Sequence, residues 1–170
     1  MPIVTQAGPL GGSDFPYVRP YPLNAFTAAV AAWPAISQAF FFRVRVAKSI
    51  SITTISFFVG TASGNVDVGV FTSTDGGSTL TLARSSGSTA VAGSSAWQDV
   101  ALTSAYVLNP GIDYWLAISV DNTTCTSYRV AVQAPIMLRK NMGLIKASLF
   151  PLANTSSLSG ATAIVAIEAG

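Results

Sequence analysis

An all-β fold is what the sequence predicts: a two-sheet, jelly-roll-like β-sandwich of about eight antiparallel strands, preceded by an extended N-terminal arm. Three observations carry this. Short runs alternate apolar and polar residues with a period of two, turn signals recur roughly every 8 to 15 residues, and helical periodicity is almost absent. Two parts follow: an arm over 1–38 and a sandwich domain over 39–170.

The arm is defined by composition. Pro2, Pro9, Pro16, Pro20 and Pro22 occur with Gly8, Gly11 and Gly12, and in the stretch FPYVRPYPL the aromatics Phe15, Tyr17 and Tyr21 alternate with prolines. Proline removes amide donors and favours extended backbone, while disorder is favoured by low hydrophobicity. Such an arm is expected to order by lying across another surface, with a neighbouring copy's preferred over its own. Phe26–Ala32 (FTAAVAA) is expected to make one or two helical turns, with Asn24 as cap and Pro34 as the stop.

The β pattern begins at Ala39. Phe40, Phe42, Val44 and Val46 point one way, and Phe41, Arg43, Arg45 and Ala47 the other. Ile50, Ile52, Ile55, Phe57 and Val59 make a second strand, whose change of phase between Ile52 and Ile55 predicts a bulge near Thr53-Thr54. Gly60–Asn65 is a turn. Val66, Val68 and Val70 form a third strand with Asp67, Gly69 and Phe71 opposed, and Ser73–Ser78, rich in Asp and Gly, is a hairpin loop. Leu80 and Leu82 mark a fourth strand, and the small residues of 85–95 make a connection long enough to cross between sheets.

Trp97–Val120 is expected to be the central antiparallel pair. Val100 and Leu102 lie opposite Asp99, Ala101 and Thr103. Ile112, Tyr114, Leu116, Ile118 and Val120 lie opposite Asp113, Trp115, Ala117 and Ser119, and Asn109-Pro110-Gly111 between the runs encodes a reversal. Thr126–Val132 alternates again. Residues 133–160 have apolar residues without a period, which in so long a loop points to a job or a partner. Ala161–Glu168 closes the chain as a last strand.

Charged residues make up only 9% of the chain and hydrophobic ones 50%, against about 25% charged in an ordinary domain. Either small polar residues cover the surface or apolar surface is buried against copies of the same chain, and so few charges favour the oligomer. The net charge of +2 is scattered. Arg43, Arg45 and Lys48 form the densest basic cluster and Arg139, Lys140 and Lys146 a weaker one, neither large enough for nucleic acid. The longest apolar stretch is far short of the ~18 residues of a spanning helix, so no membrane partner is expected. The N-terminus has neither the basic nor the apolar region of a signal peptide. A single cysteine, Cys125, allows no intramolecular disulfide or Cys-based metal site, and a buried free thiol is expected.

Histidine is absent, which removes the commonest general base and metal ligand. The acids are Asp14, Asp67, Asp75, Asp99, Asp113, Asp121 and Glu168. Asp67, Asp99 and Asp113 are expected on solvated outer faces, and Asp75 and Asp121 at turns and strand ends. A Ca²⁺ site at Asp121 and Asn122 lacks ligand spacing, and the Asn-X-Ser/Thr triplets at Asn122 and Asn154 are expected by chance. No enzymatic activity, cofactor or metal is expected. Trp97, Tyr106 and Trp115 are the candidates for stacking on a glycan, with core or interface packing favoured. Trp115 is either an outer-face contact or part of a sheet covered on both sides.

The phrases GTASGNVDVGVFTSTDGG (60–77), STAVAGSSAWQDVALT (88–103) and YVLNPGIDYWLAISVD (106–121) resemble a β-sandwich module of bacteriophage tail-fibre and other virion proteins. The resemblance spans Phe40–Val120, about half of the chain. It rests on packing and turn motifs and carries over no catalytic residue. It implies a non-enzymatic virion component on the particle surface, in a tail fibre, tail tip or head decoration. Its partners would be copies of itself, a trimer first, other virion proteins and a host cell-surface glycan. A free-standing carbohydrate-binding module is the alternative.

Overall fold

The computed structural model describes residues 29–131, 143–161, 163–165 and 167–170. Phe15, Tyr17 and Tyr21 of the arm lie outside them, as do Asp14, Arg139 and Lys140. The described chain is all-β, and every strand pairing is antiparallel. The strands are β1 (Ala29–Ala32), β2 (Ala39–Val44), β3 (Ile50–Thr61), β4 (Asn65–Thr72), β5 (Thr79–Ser85), β6 (Thr89–Ala90) and β7 (Ser94–Leu108). They continue with β8 (Tyr114–Val120), β9 (Thr126–Ala131), β10 (Gly143–Lys146), β11 (Thr155–Ser156), β12 (Ser159–Gly160), β13 (Ala163–Val165) and β14 (Ile167–Ala169). The smaller sheet runs β1-β9-β3-β14, with β13 on β9 and β7 on β3. The larger runs β11-β5-β4-β8-β2-β10-β12, with β6 on β4, and curls into a half-barrel.

Between the sheets lies the main core. Phe40, Phe42 and Val44 of β2, Val66, Val68 and Val70 of β4, and Tyr114, Leu116, Ile118 and Val120 of β8 meet Ile52, Ile55, Phe57 and Val59 of β3 and Val100 and Leu102 of β7. These are the apolar sets picked out by their period of two. Trp33 joins them, its indole edge-on to Phe40 and its Nε1 donating to the Gln38 carbonyl at 2.9 Å. The thiol of Cys125 is buried in the same core.

The bulge expected at Thr53-Thr54 is present: the β3/β7 register slips between Ile52 and Thr54, where Ile52 faces Tyr106 but Thr54 faces Ala101. The Thr53 and Thr54 amides donate there to the Gly170 carbonyl, at 2.6 and 2.9 Å. The hairpin loop at 73–78 and the crossing connection at 85–95 also form: β4 pairs with β5, and β7 then enters the other sheet.

Trp97–Val120 is not a strand pair. β7 pairs with β3, while β8 lies between β2 and β4 in the other sheet. The Asn109–Gly111 reversal therefore carries the chain across the sandwich. Gly111 takes φ of 80°, and the Asn109 amide donates to the Tyr114 hydroxyl at 3.0 Å, bracing the corner. A turn signal fixes a change of direction but not the choice of pairing partner. Burial settles that choice: every residue of β8 is buried, as a central strand covered on both faces requires, whereas β7 is largely exposed.

The helical turn expected in Phe26–Ala32 is not seen over its described part. Ala29–Ala32 is a strand, pairing with β9 from Ala29↔Arg129 to Ala32↔Thr126. Alanine's helix propensity is a few tenths of a kcal/mol per residue, and sheet pairing overrides it.

A second core covers the other face of the larger sheet. Phe41, Phe71, Leu80, Trp115 and Ala117 pack there against Leu144 and Leu152, with Leu149 and Leu158 beside them. The apolar residues of 143–160 lacked a period because they descend onto the sheet from short strands and loops. Trp115 is thus 0% exposed, the doubly covered arrangement of the two considered.

Asp67 is a correction of the same kind: expected on a solvated face, it is fully buried under this cover. Its carboxylate accepts from the Ser86 hydroxyl at 3.0 Å and from the Leu152 amide at 2.9 Å. Those donors make burial tolerable in a position where alternation alone says only "opposite Val66 and Val68".

Candidate functional site

The three aromatic residues expected to mark a contact surface are in three different places. Trp115 is buried in the second core, with the Arg43 guanidinium 5.9 Å from its ring centroid. Tyr106 faces inward at the edge of the main core, edge-on to Tyr114 at 6.1 Å. Burial raises the Tyr106 hydroxyl pKa, the neighbouring Tyr114 adds to this, and Arg84 opposes it. Only Trp97 is on the outside, 42% exposed on the outer face of the smaller sheet.

Three further residues join Trp97. Val30 pairs with Tyr128, Phe58 pairs with Trp97, and the adjoining Val59↔Ser127 pair brings Phe58 beside Tyr128. Val30, Tyr128, Phe58 and Trp97 therefore form one row across four neighbouring strands, about 14 Å wide at the usual strand spacing. The Phe58 and Tyr128 rings stack with centroids 3.9 Å apart, and Trp97 meets Phe58 edge-on at 6.1 Å. Val30, at 49%, and Trp97 are the exposed ends of the row.

Local sequence shapes the row. Gly60 has no side chain where a Cβ would stand 2.5 Å from Val30 Cγ1 and 2.4 Å from Thr126 Oγ1, so the missing Cβ lets the edge strand close in. Asp99, two residues beyond Trp97 on the same face, accepts from the Ser56 hydroxyl at 2.5 Å. The polar border is thus a single carboxylate with hydroxyls. Phe58 had a legible signal, since it alternates against the buried Phe57 and Val59, whereas the period of two put Tyr128 with Val130 and Val132 on one apolar face and did not mark it as an outer residue. Their meeting with Trp97 depends on the order β9-β3-β7, which no local pattern contains.

The acidic groups at two strand ends are committed to structure. Asp113 holds Arg43 and Arg45 together, with Arg45 at 2.9 and 3.0 Å, and the Arg43 hydrogen bond holds its carboxyl below the usual range. At the Asp121–Asn122 corner, burial pushes the Asp121 carboxyl up. The Asn65 amide and side chain and Asn122 more than offset this, leaving its pKa lowered. The Asn122 oxygen accepts from the Thr124 and Cys125 amides, so N–H donors occupy the oxygens a Ca²⁺ ion would need. Among the described residues no three His, Cys, Asp or Glu side chains cluster as metal ligands, and no helix is long and apolar enough to cross a membrane. An open groove of about 400 Å³ lies between Thr79, Lys146 and Thr155, but the Lys146 ammonium already donates to the Ser156 carbonyl at 2.8 Å.

No family model, curated protein or solved structure matches the chain.

Proposed function

We propose that the protein is a non-enzymatic structural component of a tailed-bacteriophage virion. It is exposed on the particle in a tail fibre, tail tip or head decoration, and self-associates through the outer face of its smaller sheet and through the arm that bears Phe15, Tyr17 and Tyr21. The observation that carries the association is the Val30–Tyr128–Phe58–Trp97 row, an apolar band half-buried at its middle and exposed at its ends, on a chain of which only 9% is charged. The virion context rests on the resemblance over Phe40–Val120. The arm precedes β1, whose Val30 belongs to the row, so it leaves the sheet at the band it would help to cover.

Light scattering of the full chain over a range of concentrations tests the association. The expected result is an oligomer that Trp97→Ala weakens about tenfold or more in Kd, as loss of an interface tryptophan does. A chain that stays monomeric contradicts it. Peptides of this chain at fixed copy number in purified particles check the virion reading, and their absence contradicts it. The same row favours a second reading, a carbohydrate-binding module, because sugars stack on exposed rings. That reading requires a monomer that binds a glycan and loses it with Trp97→Ala.

A further inference from the structure

The ends of the two sheets differ. The larger sheet ends on β11 and β12, two residues each, and the smaller begins on β1, four residues. Very short edge strands are a common guard against edge-to-edge pairing. Of the other flanks β7 is the longest, with fifteen residues; β5, of seven, meets β11 only at Thr79 and Leu80, and β6 has two. Phe57 pairs with Gln98 on one side and Ile167 on the other, so β7 forms the flank of β3 opposite β14. Among the described residues β7 pairs with β3 alone.

Over its straight part this edge has no guarding proline or lysine, and the connection at 90–92 touches it only through the Gln98 side chain, which accepts from the Ala92 amide and donates to the Ala90 carbonyl, both at 2.9 Å. The register against β3 is unbroken over Ala96–Ala101, with the left-handed Ser95 at one end and the register slip at the other. Those six residues span about 20 Å. They contain no Lys, Arg or Pro, and Asp99 is their one charge. Three amides and three carbonyls of this run face away from β3, and an unpaired strand edge is satisfied best by another strand. Trp97, the exposed end of the aromatic row, stands on the same edge.

We propose that the β7 edge pairs with the β7 edge of a second copy, antiparallel and about a twofold axis. The smaller sheets of two copies then run on as one, and Trp97 is covered at the join. The same strand on both sides makes the contact self-complementary and closed. It therefore gives a dimer, where the resemblance implies a trimer. The inference rests on the self-association proposed above and names the surface that performs it.

Successive amides along an edge strand face alternately toward the partner and toward the open side, so Ala96 and Ala101, five residues apart, have amides on opposite sides. One of Ala96→Pro and Ala101→Pro removes an outward amide and is tolerated by the fold. The other breaks the β3 pairing. The expected result, in the full chain, is that the variant retaining the wild-type unfolding midpoint has its dimer weakened about tenfold or more in Kd. Hydrogen exchange of the wild type gives an independent reading: alternate amides over Ala96–Ala101 gain protection as protein concentration rises. An oligomer without that protection, or a folded edge variant that associates normally, overturns the edge proposal and leaves self-association standing. Protection independent of concentration also overturns it, since the chain then covers its own edge. A monomer at every concentration removes both proposals.

Discussion

Asp67 has no exposed atom, yet it is an acid in a mostly apolar layer. Burial raises its pKa, and the Leu152 and Ser86 hydrogen bonds offset only part of this. Between the ordinary aspartate value and the raised one, the native state holds more protons than the unfolded chain, so stability falls as pH rises through that window. Asp67→Asn removes the ionisation. Its unfolding free energy, relative to wild type, is therefore expected to be most favourable at neutral pH and to lose that advantage as the pH drops, in urea titrations at several pH values. Asp67→Ala instead leaves the Leu152 amide and Ser86 without their acceptor. It is expected to cost about 1–3 kcal/mol, with faster hydrogen exchange over 143–160. The lowered carboxyls act in the opposite sense. Asp75, held at about 2 by the Ser73 hydroxyl and the Thr79 amide, binds fewer protons in the native state, as do Asp113 and Asp121. Their contribution is complete above the ordinary carboxylate range and is lost as pH falls from about 4 toward 2. None of this was legible at Asp67 itself: alternation placed it opposite Val66 and Val68, and only the cover from 143–160 decides whether that face is wet.

The two tryptophans of the Trp97–Val120 stretch show what alternation along one strand can and cannot say. It put Trp115 on the face opposite Tyr114 and Leu116, correctly, but both faces of β8 are packed. It gave no means of knowing that β7 and β8 belong to different sheets. The energetic consequence is large. Trp115→Ala is expected to cost about 3–5 kcal/mol as a core truncation, whereas Trp97→Ala is expected to change unfolding by about 1 kcal/mol or less as a surface change. Equal losses in chemical denaturation would contradict this placement. The turn between β3 and β4 makes a similar contrast. Gly64 has φ of 68°, and a Cβ there would lie 1.7 Å from Asn122 Nδ2 and 2.1 Å from Asp121 Oδ1. Gly64→Ala is expected to destabilise by more than about 1 kcal/mol, while Gly76→Ala, also at positive φ but with open space around it, costs less. At this scale the longer strands between Ala39 and Val120, the bulge at Thr53-Thr54 and the 73–78 hairpin were legible because they are local, while β1 and the short strands of 143–160 were not. The pairing order and the cover over the second face are long-range and were not.

For the whole molecule, the scarcity of charge now has a location. Both faces of the larger sheet are buried within the chain, one by the smaller sheet and one by 143–160. Much of the 50% hydrophobic content is used there, a second layer that the composition alone could not separate from an oligomer interface. Among the described residues, the large apolar side chains left outside are Val30 and Trp97 at the ends of the row, with Ile36, Val107 and Ile112 elsewhere, and the β7 edge pairs only with β3. The arm meets the sheet at β1, and Trp33 lies in the core, so a cut that removes the arm and spares the fold falls before Ala29. The decisive measurement is the mass in solution of the full chain and of the chain begun at Ala29, by light scattering over a wide range of concentrations. Self-association predicts a full chain at a whole multiple of 17.5 kDa, with the shortened chain dissociating at higher concentration. A full chain that stays at 17.5 kDa throughout would contradict it.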